Sequence, residues 1–100
     1  MKRYRFHPEA RIEVRSAAAW YRERSSEAAR GFTGEVTDGI QSIRQHPAAW
    51  PVWSRSDVRR RVLRRYPYAI LYIVEGEVVV IVAVAHHKRR PGYWLPRLRG

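Results

Sequence analysis

A chain of 100 residues that is 45% hydrophobic and holds twelve Trp, Tyr and Phe residues can bury a folded core, which excludes disorder despite a net charge of +11. The absence of cysteine excludes disulfides, thiolate metal sites and cysteine nucleophiles together, and fits a reducing cytoplasm. Val78 to Ala85 is the longest apolar run, far short of the ~20 residues of a membrane helix, and Met1 to Phe6 lacks a signal-peptide pattern. The expectation is one soluble cytoplasmic domain over residues 1–100, with no membrane partner.

Lys2 to His7 alternates basic and aromatic residues and predicts a short strand with Tyr4 and Phe6 on one face. Pro8 and Glu9 suit the first turn of a helix, and Val14, Ala17, Ala18 and Tyr21 form its apolar stripe. Ser25 and Ser26 offer capping hydroxyls for a second helix, carried by Ala29, Phe32, Val36, Ile40 and Ile43 and ended by His46-Pro47. The short connection makes the two helices an antiparallel hairpin. Gly31, Gly34 and Gly39 weaken the second helix, so close approach to a neighbour is their expected use. Pro47 to Asp57 is an ordered crossing loop in which Trp50 and Trp53 cover an edge of the core. Three strands follow, at about Val58 to Arg65, Tyr68 to Val74 and Val78 to His86, with a tight Glu75-Gly76 hairpin between the last two. Val78 to Ala85 is apolar on both faces and predicts a central strand.

Charge is polarised along this order. Residues 58–100 hold ten Lys or Arg against two carboxylates, net +8, whereas residues 1–57 hold ten against seven, net +3. The imbalance points to an anionic partner, either a polyanion or an acidic protein. Arg59, Arg60, Arg61, Arg64 and Arg65 precede the apolar segment. Alternation lets Arg59, Arg61 and, with twist, Arg65 line one side. They are either an edge strand guarded by charge or a contact surface for phosphate or carboxylate.

His86 and His87 are strand neighbours and point to opposite faces, so they cannot chelate one ion together, and no metal is expected. One of them suits a structural hydrogen bond, and the other an acid or base if RNA were cut. Tyr93 and Trp94 could stack on bases or close the uncovered sheet face, packing being favoured for Trp94. The carboxylates are dispersed, and no Gly-rich phosphate loop or Ser-His-Asp spacing is present.

Ala19-Trp20-Tyr21, Arg65-Tyr66-Pro67-Tyr68-Ala69-Ile70-Leu71-Tyr72 and Val84-Ala85-His86-His87-Lys88-Arg89-Arg90-Pro91-Gly92-Tyr93-Trp94, in this element order, resemble the RelE/ParE superfamily. These are toxins of bacterial type II toxin–antitoxin systems, often called plasmid stabilisation proteins. The resemblance spans nearly the whole chain and implies an α+β fold: an N-terminal strand, an antiparallel helix hairpin, then a three-stranded antiparallel meander completing one sheet.

RelE-like members are metal-free, ribosome-dependent mRNA endonucleases; ParE-like members poison DNA gyrase. The nucleases carry an arginine where this chain has Ala69. Arg89 and Tyr93 match nuclease positions, and His87 replaces another arginine. The resemblance thus implies Arg89, His87 and Tyr93 as catalytic only in a RelE-like protein. Charge stabilisation at a scissile phosphate would then fall to Arg59, Arg61 or Arg89. Ala69 favours the ParE-like reading, a gyrase-inhibiting toxin that is not an enzyme. Arg59, Arg61, Arg64, Arg65, Lys88, Arg90, Trp94 and Arg97 are the expected target- or antitoxin-binding residues. The resemblance also implies a cognate antitoxin as partner, with gyrase or ribosome-bound mRNA as target and no cofactor. Charge alone would allow a non-toxic nucleic-acid-binding module.

Overall fold

The computed structural model describes residues 1–53 and 56–99, with only the backbone of Arg99. Its elements are β1 (Arg3–Phe6), α1 (Pro8–Arg22), α2 (Ser26–Gln45), β2 (Arg59–Val62), β3 (Tyr68–Glu75) and β4 (Val78–His86), followed by a 3₁₀ turn at Leu95–Arg99. The strands form one sheet in the order β1-β4-β3-β2. β2, β3 and β4 are the expected antiparallel meander, and β1 adds to β4 in parallel. A parallel pair needs a long crossover between its strands. The helix hairpin lies within that crossover and is placed on one face of the sheet.

The helix ends are set by side chains. His7 caps α1, its Nδ1 accepting the Glu9 N–H at 3.1 Å, with Pro8 in the first turn where a missing N–H costs nothing. Ser25 caps α2 by accepting the Ala28 N–H at 3.1 Å. The apolar stripes of both helices face the sheet, with Ala17, Ala18, Ala29, Phe32, Val36, Ile40 and Ile43 buried against Ile70, Tyr72, Val79 and Ile81. Close approach explains two of the three glycines. A Cβ at Gly39 would lie 2.8 Å from Ile70 Cδ1, and one at Gly31 would collide with the Tyr66 hydroxyl, which donates to the Ala28 carbonyl at 2.9 Å. Gly34 faces open space.

The second face of the sheet has its own core of Val58, Leu71, Val80, Val82, Ala83 and Trp94. Trp50 and Trp53 both lie at the β2 edge, as expected, but pack on different faces of it. Trp50 packs on the helix side, whereas Trp53 meets Trp94 edge-on at 5.1 Å on the opposite side. β2 is shorter than the sequence pattern predicts. The Glu35 carboxylate on α2 accepts the backbone N–H groups of Arg64 and Arg65, which turns the chain out of the strand after Val62.

Strand β4 is central, as its two-faced apolarity requires, and contains an irregularity that reorganises one end of the sheet. Leu71 pairs with Ala83 but Tyr72 pairs with Ile81, so Val82 is an extra residue, a β-bulge. Val79 and Ile81 face the helices and Val80 faces away; past the bulge Val82 and Ala83 both face away and Val84 returns to the helices. The slip also turns Val82 C=O and Val84 N–H toward the edge where β1 has already ended. Glu13 of α1 and Arg97 of the C-terminal turn occupy that edge. Glu13 Oε1 accepts the Val84 N–H at 2.9 Å, and Arg97 Nη1 donates to the Val82 carbonyl at 3.0 Å. The two side chains pair with each other at 2.8 Å, with only 12% and 14% of their surfaces exposed.

Removing one member of a nearly buried pair strands the other, at about 3 kcal/mol or more. Arg97→Ala should therefore lower the unfolding free energy by about 3 kcal/mol in urea titration with an unchanged m-value, whereas Arg15→Ala on the exposed face of α1 should change it by less than about 0.5 kcal/mol.

Candidate functional site

The segment after β4 folds back on the sheet end through short-range bonds. His86 Nδ1 accepts the Lys88 N–H at 3.0 Å, and the Arg89 N–H donates to the His86 carbonyl at 3.0 Å. The His87 N–H donates to the Pro67 carbonyl at 2.9 Å, tying the turn to the start of β3. Gly92 has φ +80°, a conformation side chains disfavour, and lets the chain reverse so that Trp94 enters the core at 2% exposure.

Both histidines border the pocket at this sheet end, and His86 also lines the groove beside α1. The His86 ring packs edge-on against Tyr68 at 5.0 Å on the helix face. His87 lines a pocket of about 120 Å³ beneath the sheet, with Arg60, Arg89 and Arg90. Its floor includes Ala69 and Ala85, which pair directly across β3 and β4, and Trp53, Tyr93 and Trp94 wall it. Arg60 is a member that sequence reasoning passed over. Its signal was present in the alternation of β2: if Arg59 and Arg61 share one face, Arg60 takes the other.

Arg59 and Arg61 face the helix side and do not reach this pocket. Arg59 Nη1 donates to the Trp50 carbonyl at 2.6 Å. Arg61 lies over the Trp50 ring at 5.0 Å and across Gly39, and its buried Nε has no hydrogen-bond partner among the described residues. The expectation that either of them could stand in for an arginine at position 69 is therefore corrected: the neighbouring-strand arginine on the Ala69 side is Arg60. Arg64 and Arg65 sit on the exposed β2–β3 turn, Arg65 at 4.0 Å from Glu35. Lys88 is exposed on the turn after β4. Arg97 is committed to Glu13, and Trp94 to the core.

Tyr93 joins the two sides. Arg89 lies over its ring at 3.8 Å, and its hydroxyl donates to Glu13 Oε2 at 2.6 Å. Burial and then donation to the Glu13 carboxylate push the Tyr93 phenol well above the ordinary tyrosine value, so it stays protonated. On the far side of Glu13 a groove of about 610 Å³ runs between α1 and the sheet end. Ile12, Trp20, Tyr68 and Val84 give it an apolar wall, and Glu9, His86, Arg89 and Arg97 line it too. Ile12 and Trp20 are each 51% exposed.

The raised Tyr93 value makes a pH prediction with a definite sign. The folded state holds a proton that the unfolded chain releases near pH 10, so the stabilisation is complete below that pH and is lost as pH rises toward the folded value. Tyr21, Tyr68 and Tyr72 are raised in the same direction, chiefly by burial. Urea midpoints should fall above pH 10, and Tyr93→Phe should make that fall shallower without abolishing it.

Comparison with known proteins agrees with this architecture. The family model described as the ParE toxin of type II toxin-antitoxin system, parDE, matches residues 4–91. Among solved structures, a chain of the chromosomal ParDE TA system from P. aeruginosa superposes with a TM-score of 0.76 at 17% identity, over 86% of this chain and 96% of that one. No curated protein matches the chain by sequence. With the family model spanning most of its length, the chain belongs to the ParE toxin family of type II toxin–antitoxin systems.

Proposed function

We propose that the chain acts by binding and inhibiting DNA gyrase in the bacterial cytoplasm, and that a cognate antitoxin neutralises it. The observation that carries a binding mode over a cutting mode is the state of Tyr93. A catalytic phenol must face substrate, whereas this one is spent on Glu13 and its proton is held tightly. Ala69 supports the same reading, since the arginine of the related nucleases has no counterpart on β3.

The antitoxin fits the remaining surface. The net charge of +11 favours an acidic partner, and the groove beside α1 offers Ile12 and Trp20 to the apolar face of an incoming segment. Folding on binding would let such a segment cover this groove and the arginine edge together. A second reading, a ribosome-dependent mRNA endonuclease, draws support from the convergence of His87 and Arg89 with Arg60 and Arg90.

Induction should arrest bacterial growth, and co-expression of the adjacent open reading frame should restore it. The purified chain should inhibit gyrase supercoiling or trap gyrase-cleaved DNA; full supercoiling at excess toxin would reject the gyrase target. In a translation extract the message should stay intact. Cuts in ribosome-bound message that vanish in Arg89→Ala would establish the nuclease reading instead.

A further inference from the structure

A histidine acting as an acceptor closes the turn after β4. His86 Nδ1 takes the Lys88 N–H at 3.0 Å, two residues along the chain, the bond that aspartate and asparagine make in Asx turns. His7 makes the same two-residue bond to the Glu9 N–H at 3.1 Å, where it caps α1. An imidazole nitrogen accepts a hydrogen bond only while it carries no proton, and an imidazolium donates from both nitrogens. The bond that closes the turn therefore belongs to the neutral His86 ring.

The charges around His86 decide what a proton on it does. On α1, Glu9, Glu13 and Tyr21 line the groove that the ring also lines, together with Arg97 of the C-terminal turn. Tyr68 of β3 lies edge-on to the ring at 5.0 Å. Arg60 of β2, Tyr93, and His87, Arg89 and Arg90 of the turn itself share the pocket beneath the sheet with it. Glu13 is filled by the Val84 N–H, the Tyr93 hydroxyl and two Arg97 nitrogens. Among the described residues Arg60, Arg89 and Arg90 form no ion pair, which leaves Glu9 as the carboxylate facing any charge added at His86. Like charges repel, and the loss of the acceptor acts in the same direction. Protonation drives the ring and the Lys88 amide apart.

Anchors on both sides limit the opening. The His87 N–H donates to the Pro67 carbonyl at 2.9 Å, and beyond the turn Glu13 holds the Tyr93 hydroxyl at 2.6 Å while Trp94 is buried. Between these anchors Lys88, Arg89, Arg90 and Pro91 are exposed, and short-range bonds at His86 and Arg90 hold their backbone. Exposed backbone with few buried contacts is where local opening costs least. We propose that His86 is an acid-released latch: its neutral ring fastens the turn carrying Lys88, Arg89 and Arg90 to the end of β4, and protonation frees that turn while the sheet and helices stay folded. Acid thereby changes how three exposed cations are presented to a partner. The latch depends on neither the gyrase target nor its alternative, because it acts in the chain alone.

The test is NMR relaxation of the backbone amides of the purified chain at about pH 8 and about pH 5, the two ends of the range in which histidines change charge. In the parent chain the order parameters of Lys88, Arg89 and Arg90 should fall from about 0.85 to below about 0.6, while those of β4 and α1 stay high. His86→Asn retains an acceptor oxygen that does not titrate, so its turn should stay ordered at both pH values. His86→Ala has no acceptor, and its turn should be mobile at both. His7 is the same in all three chains, so any effect of acid at the head of α1 is common to them. A parent turn that stays rigid in acid would overturn the latch, as would equal loosening of the parent and the Asn variant or an Ala variant as rigid as the parent. Loss of order in β4 together with the turn would mark unfolding and reject a local release. Independently of the variants, the Lys88 amide shift should move with the same midpoint as the His86 imidazole nitrogen signals, and separate midpoints would sink the idea.

Discussion

Glu13 and Arg97 occupy the place of a strand that does not exist. β1 covers the edge of β4 only as far as Ile81, and two polar backbone groups beyond it face a region shielded by α1 and the C-terminal turn. An unpaired buried amide or carbonyl costs free energy comparable to a lost hydrogen bond. One carboxylate and one guanidinium satisfy both groups and neutralise each other. That arrangement attaches the C-terminal turn to α1 and β4 at once, and by taking the Tyr93 hydroxyl it also fixes the ring that supports Arg89. The geometry of the basic end of the molecule therefore follows from a pairing 84 residues apart in sequence.

The β-bulge at Val82 is the second half of the same constraint. Without the extra residue, Val82 C=O and Val84 N–H would turn toward β3 and the edge would present other groups. His86 and His87 would also exchange faces, because strand side chains alternate. As built, His86 packs on Tyr68 beside the helices and His87 joins Arg89, Arg90 and Arg60 below the sheet.

This explains what was legible from sequence and what was not. Helix stripes, serine and histidine boundaries, the Gly76 hairpin and the central position of β4 follow from local periodicity and capping, so they read directly. The bulge leaves no such mark. Its run, Val78 to Ala85, is apolar at every position, and a slip of register changes no pattern that hydrophobicity could reveal. Arg60 is the alternate residue of β2, so the alternation that places Arg59 and Arg61 on one face places it on the other. The roles of Glu13 and Arg97 are long-range, and an isolated glutamate on a helix carries no sign that it will complete a sheet edge. Trp50 and Trp53 look equivalent in the loop, yet the bridge between Val52 and Arg59 turns the chain there and sends them to opposite faces.

The polarised charge of the chain resolves, in three dimensions, into two kinds of arginine. Arg59, Arg61 and Arg97 lie partly buried on the helix side, spent on backbone carbonyls, an aromatic ring or Glu13. Arg60, Arg89 and Arg90 are exposed and line the lower pocket without carboxylate partners among the described residues, Arg89 also bordering the groove beside α1. Structural arginines add to net charge without offering it to a ligand, so the net charge overstates the surface available for binding. A protein segment lying in that groove and an anion in the lower pocket would occupy different sides of the sheet, coupled through Glu13, whose carboxylate borders the groove and whose bond to Tyr93 supports Arg89. Any partner that displaces Glu13 from Tyr93 would loosen the support of Arg89, which gives occupation of one face a physical route to the other.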